Sequence, residues 1–228
     1  MPMSLSSLDS EIIACRLCPR LVAWREQTAR EKRKAYREQE YWGKPVPGFG
    51  DPAARVFVVG LAPGAHGSNR TGRMFTGDAS GDFLYPALFR AGFASQPTAV
   101  ARGDGLTLTD LYITAAGCCA PPDNKPSPAE LAACQPFLRR EMELLRPKVI
   151  VALGRIAFES VLRIFSIRNS AWKFAHGALY ALPPAEFCRP NASLLCSYHP
   201  SRQNTQTGRL TAAMFAEIWQ KARERINN

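Results

Sequence analysis

The residue types able to do chemistry in this 228-residue chain gather in a few stretches. The longest is Gly60-Leu-Ala-Pro-Gly-Ala-His-Gly67, continued by Ser68-Asn-Arg-Thr-Gly-Arg-Met-Phe-Thr-Gly-Asp78. A turn rich in glycine and proline exposes backbone N–H groups and lets a ligand approach closely. It lacks a Gly-Lys-Ser/Thr ending, which argues against a nucleotide-triphosphate site. The second half holds Arg70, Arg73, Phe75 and Asp78: two cations, one ring and one carboxylate. Those are ingredients for gripping DNA, stacking a base and directing a water. Asp78 also stands ahead of a helical pattern, where a carboxylate serves equally as an N-cap. A second stretch, Tyr198-His-Pro-Ser-Arg-Gln-Asn204, offers His199 as a hydrogen-bond donor to a leaving group. A lone histidine is just as readily structural.

The seven cysteines form the other constellation. Cys15 and Cys18 make a C-x2-C pair, and Cys119 and Cys134 lie far downstream. Such a turn aims two thiolates at one centre, which a distant pair can complete only in the fold. Four thiolates suit a tetrahedral zinc or a [4Fe–4S] cube, and spacing does not separate the two. Cys118 adjoins Cys119; in an extended chain neighbouring side chains face opposite ways, so one of them is expected to ligate. Cys188 and Cys196 read as small buried residues. An odd number of cysteines argues against a pure disulfide framework.

These residues need elements to hold them. Four short apolar runs with little alternation read as strands covered on both faces: Arg55–Gly60, Leu111–Ala115, Val149–Leu153 and Ser193–Ser197. Helical spacing between them predicts helices over Asp82–Ala91, Arg155–Phe165 and Thr211–Arg225. Ser127-Pro-Ala-Glu130 is a capping box opening a further helix, which carries Cys134. Strands alternating with helices predict a parallel sheet, whose sites form at the strands' carboxyl ends. That rule points after Gly60, after Ala115 and after Ser197. The prolines and glycines of Lys44–Pro52 make a loop. The charged stretch Arg25–Glu40 reads as an exposed helix or arm with a solvated face.

The length suits one domain over residues 1–228. The net charge of +10 suggests a nucleic-acid partner. No apolar run is long enough to span a membrane. Met1–Ile13 lacks the order of a signal peptide, so a cytoplasmic monomer is expected.

Taken together, the motifs resemble the uracil-DNA glycosylase superfamily, in its family 5 branch. The resemblance rests on Cys15-Arg-Leu-Cys18, the Gly60–Asp78 loop, Cys119 and Cys134 with the PSPAEL helix start, Val151–Glu159 and Ser197–Thr211. Family 4 has an acidic residue in its first motif where this chain has Leu61. The resemblance implies a three-layer α/β/α sandwich around a four-stranded parallel sheet. It implies a structural [4Fe–4S] cluster on Cys15, Cys18, Cys119 and Cys134. It also implies a DNA-repair hydrolase that flips a deaminated base into a pocket and cuts its N-glycosidic bond, leaving an abasic site.

By the family pattern Phe75 stacks on the base, and Gly60, Leu61, Ala62 and Gly64 line its edge. His199 steadies the leaving base and Asp78 directs the water. Arg202, Gln203 and Asn204 enter the minor groove, with Asn69, Arg70, Arg73 and Ser201 also meeting DNA. Several branches carry an Asn where this chain has Ala115. Its loss predicts a broad range, covering uracil and hypoxanthine, with xanthine and modified pyrimidines at its margin. The alternative is an iron–sulfur module that recognises lesions without cutting them.

Overall fold

The computed structural model describes residues 4–227. Its strands are β1 (Phe49–Gly50), β2 (Val56–Gly60), β3 (Leu111–Ala115), β4 (Val149–Leu153), β5 (Leu179–Ala181) and β6 (Ser193–Ser197). Its helices are α1 (Leu5–Ala14), α2 (Pro19–Glu31), α3 (Ser68–Thr71), α4 (Ala79–Arg90), α5 (Pro128–Leu145), α6 (Arg155–Ile164), α7 (Arg202–Gln206) and α8 (Ala212–Asn227).

All six strands form one mixed sheet in the order β1-β3-β2-β4-β6-β5. The four expected strands are its parallel centre, and every one of their residues is buried. The sheet is therefore wider than the expected four strands. β1 and β5 add antiparallel edges of two and three residues, none of them buried. Edge pieces this short carry no apolar run to announce them.

Alternation along the central strands feeds two cores. Val56, Val58, Ile113 and Val151 pack with Leu84 and Leu88 of α4 and with Phe215 and Trp219 of α8. Phe57, Val59, Ile150 and Leu194 pack with Leu138 and Met142 of α5 and Phe158 and Val161 of α6. Helices thus cover both faces. Gly60 lies beside Ala115 and Leu153 beside Ser197, so the central strands end together and their loops converge.

The capping box of α5 forms as read. Ser127 Oγ accepts from the Glu130 amide at 3.2 Å, and Glu130 Oε2 accepts from the Ser127 amide at 2.7 Å. Arg20 of α2 then grips Glu130 with two bonds of 2.7 Å. That clamp joins the elements bearing Cys18 and Cys134. The expected solvated face at Arg25–Glu40 is corrected at two residues: Arg25 is only 2% exposed and Thr28 7%. Among the described residues, no helix is long and apolar enough to cross a membrane.

Candidate active site

The loop after β2 folds back on its own strand. Phe75 adopts a left-handed backbone (φ 51°), an uncommon conformation for a bulky residue that the surroundings must enforce. Tyr85 Oη donates to the Met74 carbonyl at 2.8 Å, and Thr76 Oγ1 donates to the same oxygen at 3.1 Å. The Phe75 ring then lies over the end of β2, where a methyl on Gly60 would stand 2.8 Å from it. Glycine at position 60 is what lets the ring settle there.

Asp78 divides its carboxylate between two tasks. Oδ1 caps α4, accepting from the amides of Ser80 at 3.0 Å and Gly81 at 3.1 Å. Oδ2 lies over the Gly64–Gly67 turn, so close that a methyl on Gly67 would stand 2.0 Å from it. Burial raises the Asp78 pKa above the ordinary carboxylate value; the two capping amides oppose that rise. A carboxylate so placed keeps one oxygen for a water or a developing positive charge.

His199 arrives from the end of β6. Its ring lies 5.8 Å from that of Phe75, centroid to centroid, tilted by 30°. Burial pushes its pKa down to about 4, so the imidazole is neutral at neutral pH and can donate a hydrogen bond without bearing charge. Asn204 Nδ2 donates to the His199 carbonyl at 2.9 Å and fixes the turn that carries it.

One cavity joins these groups. Its walls include Leu61, Ala62, Gly64, Phe75, Asp78, Ala115, His199, Ser201, Arg202 and Gln203. Of the residues expected to bind a base, Leu61, Ala62, Gly64, Phe75 and Ala115 share this wall, whereas Gly60 lies beneath the Phe75 ring. Ala115 presents only a methyl, and Arg202 and Gln203 stand exposed at the rim. Ser201 caps α7 through a long 3.4 Å contact from the Asn204 amide.

Three expected DNA contacts lie elsewhere. Asn69 is fully buried and donates to the carbonyls of Arg25 and Ala65. Arg70 is 9% exposed, bonded to the His66 and Gly77 carbonyls and to Gln39, with its guanidinium over the Tyr36 ring. Arg73 is 5% exposed and pairs with both oxygens of Asp104 at 2.7 and 2.8 Å. Their donors hold the loop together, which corrects the expectation that they meet DNA. A basic residue in a loop looks the same in sequence whether it faces out or in.

Sequence reasoning also missed residues that line the cavity. His66 belongs to the glycine-rich turn, and its Nδ1 meets Tyr41 Oη at 3.1 Å. Burial and the nearby Arg33 and Arg70 charges lower its pKa. Arg33 and Tyr36 join the wall from the segment after α2, and Asp123 and Asn124 from the loop after β3. Only His66 carried a signal, being the one titratable side chain in the turn.

A second constellation lies behind the loop. Cys15, Cys18, Cys119 and Cys134 line one cavity with Leu17, Leu21, Pro45 and Phe137. None forms a disulfide. Cys118 borders the same cavity, contrary to the expectation that adjacent cysteines diverge; it packs with Leu8, Ile12 and Cys134. Arg25 separates the neighbours: its Nη1 donates to Cys119 Sγ at 2.9 Å. Its Nη2 donates to the Cys15 carbonyl at 3.3 Å, and no carboxylate pairs with it among the described residues. A buried cation without a counter-charge costs several kcal/mol, roughly, so the site calls for an anion. Thiolates bound to a metal centre would supply one. Among the described residues, no three Cys, His, Asp or Glu side chains are gathered to hold a single metal ion.

Comparison with known proteins matches residues 47–223 to the model of the uracil DNA glycosylase superfamily. The chain is 58% identical to a type-5 uracil-DNA glycosylase of Thermus thermophilus, over 97% of this chain and 98% of that one. A type-5 uracil-DNA glycosylase of Mycobacterium leprae is 48% identical over 97% and 95%. A type-4 uracil-DNA glycosylase of Archaeoglobus fulgidus is 32% identical over 68% and 70%.

The contact between Gly67 and Asp78 has a measurable consequence. Gly67→Ala should destabilise the chain by about 1–3 kcal/mol through overpacking. Gly117→Ala, whose methyl would meet its nearest neighbour at an ordinary 3.6 Å, should be tolerated. Denaturant midpoints compare the two.

Proposed function

Because the chain belongs to the uracil-DNA glycosylase superfamily, in its type-5 branch, we propose that a base flipped out of DNA enters the cavity under Phe75 and is cut from its sugar there. The convergence of Asp78 and His199 on that cavity, beside an aromatic ring, carries the reading. Cleavage leaves an anionic base and a cation-like sugar. Neutral His199 donates to the base oxygen as negative charge builds, an oxyanion-type stabilisation. Asp78 Oδ2 holds the attacking water and faces the sugar's developing charge. Phe75 stacks on the base. Backbone groups of the Gly60–Gly67 turn read its edge, and Arg202 and Gln203 meet the flanking duplex.

The range of bases follows from Ala115. A side-chain amide there would offer a donor and an acceptor to uracil's edge, whereas a methyl offers neither. The reading is therefore a broad glycosylase for uracil, hypoxanthine and other deaminated bases, built as one domain over residues 1–228.

Cys15, Cys18, Cys119 and Cys134 would hold a [4Fe–4S] cluster, with Arg25 balancing its charge. Four thiolates would equally suit a tetrahedral zinc, and metal analysis separates the two. When bound, the cluster supplies a cross-link joining α1, α2, the loop after β3 and α5. The pure protein should be brown and contain about four irons per chain, and Cys15→Ser should lose both. A colourless protein with one zinc would overturn this assignment.

Single-turnover base release from a uracil duplex tests the catalytic roles. His199→Ala should slow it by about 10²–10³-fold, and Asp78→Asn by about 10²–10⁴-fold. Wild-type levels in both would remove the assignments, and a parent that binds but never releases base would be a recognition module.

The pH profile gives a second check. Asp78 acts as the carboxylate, so release should be flat around neutral pH and fall on the acid side. Its midpoint should lie above the ordinary value of 3.8, in the direction of the raised pKa. Asp78→Asn should remove its share of that limb and leave the His199 titration near 4.

Substrate range is tested on matched duplexes carrying uracil or hypoxanthine. The parent should release both, and Ala115→Asn should favour uracil by about tenfold or more. A sharp preference for uracil in the parent counts against breadth.

A further inference from the structure

A groove opens beside the base cavity, between the end of α1, α2 and the Trp42–Lys44 turn. Its walls carry Arg16, Arg25, Glu26, Arg30, Trp42 and Lys44. Glu26 is the acidic wall residue, and it is committed to Arg16 at 2.6 Å. Arg25 is spent on Cys119 and the Cys15 carbonyl. Arg30 and Lys44 are exposed, and neither pairs with a carboxylate among the described residues. Lys44 stands 5.4 Å from the centre of the half-buried Trp42 ring, and Arg102 stacks on the same ring at 4.6 Å. The Trp42 ring thus meets two cations, one of them Lys44 of the groove wall.

Arg30 and Lys44 differ in this from Arg20, Arg55, Arg73, Arg139 and Arg140, each of which has a carboxylate partner. The groove's unpaired charges also lie close to the base cavity. Arg30 precedes Arg33 and Tyr36, which form the cavity wall. Tyr41 Oη meets His66, and the Trp42 and Gly43 amides donate to the Arg70 and Asn69 carbonyls at 2.9 and 3.0 Å. The strap that forms one side of the groove is therefore bonded to the back of the base-binding loop.

We propose that this groove is a second DNA contact, in which Arg30 and Lys44 hold backbone phosphates of the duplex arm flanking the flipped base. The proposal rests on the glycosylase reading for the placement of the duplex. A double helix presents a phosphate charge about every 1.7 Å along its axis, so an arm leaving the cavity along the α2 side carries several past the groove. Phosphate contacts of this kind position a duplex without reading its sequence. They account for part of the +10 net charge that the base cavity does not use.

The test compares the parent with Arg30→Gln/Lys44→Gln, and with Lys44→Glu as a graded second variant. The probes are two uracil duplexes, one barely covering the base cavity and one with long arms on both sides. Affinity is measured across salt concentrations, and base release under single-turnover conditions at saturating DNA. The double variant should bind the long duplex about tenfold more weakly at low salt. Its log Kd against log salt slope should be shallower by about two, close to 0.9 for each phosphate no longer neutralised. The short duplex should be little affected, the saturated release rate should stay within about twofold of the parent, and Lys44→Glu should weaken long-duplex binding in the same direction. Unchanged affinity and slope on the long duplex would overturn the proposal. A parent that releases no uracil would instead sink the glycosylase reading, while the salt slopes still report on the groove.

Discussion

The cavity's geometry depends on one carboxylate that cannot be moved without the fold. Asp78 Oδ1 satisfies the first amides of α4, and α4 is held against the sheet by Leu84 and Leu88. Helix ends leave unpaired N–H groups that need such a partner. The position of Oδ2 is then inherited from the packing of a buried helix rather than from a flexible side chain. Gly67 and Gly60 are the clearances this arrangement requires, one for the carboxylate and one for the Phe75 ring. Capping is one use of this group; on the proposed reading chemistry is the other, and the cap would give that chemistry its precision.

A second constraint works from behind. Buried Arg25 reaches Cys119 with one nitrogen and the Cys15 carbonyl with another, while its own carbonyl accepts from Asn69. Asn69 in turn holds the Ala65 carbonyl inside the glycine-rich turn. A continuous path of hydrogen bonds therefore runs from the cysteine cavity to the base cavity. On the proposed reading, a cluster that anchors α2 also steadies this turn, which is a structural influence on the active site and needs no electron transfer.

The sequence showed the sheet's centre because burial on both faces leaves a continuous apolar run, and Val56–Gly60 or Val149–Leu153 has no other reading. It showed the α5 start because a capping box is local, needing only Ser127 and Glu130. It showed the candidate chemistry because loops at strand ends must converge in a parallel sheet. What escaped was whatever depends on distant partners. β1 and β5 exist only through pairing with β3 and β6. Arg25 sits in a charged run and is buried because a cysteine 94 positions away faces it. Arg73 belongs to the loop interior because Asp104 waits there. Charge type is legible in a sequence, but its direction is set by tertiary contacts.

The proposed breadth has a chemical logic in the cavity's own groups. Deamination replaces an exocyclic amine with a keto oxygen, whichever base is damaged. A cavity whose polar side chains include a neutral imidazole, with backbone N–H groups around it, is rich in single donors for such an oxygen. The parent bases would present an N–H where the donor stands, leaving two donors facing each other and both unpaired, which is costly in a buried site. Discrimination between damaged and intact bases then needs no side-chain amide at position 115. Such an amide would add discrimination among damaged bases instead, by matching the edge of one ring size. On the proposed reading, Ala115 would let the cavity keep the first kind of selectivity and give up the second.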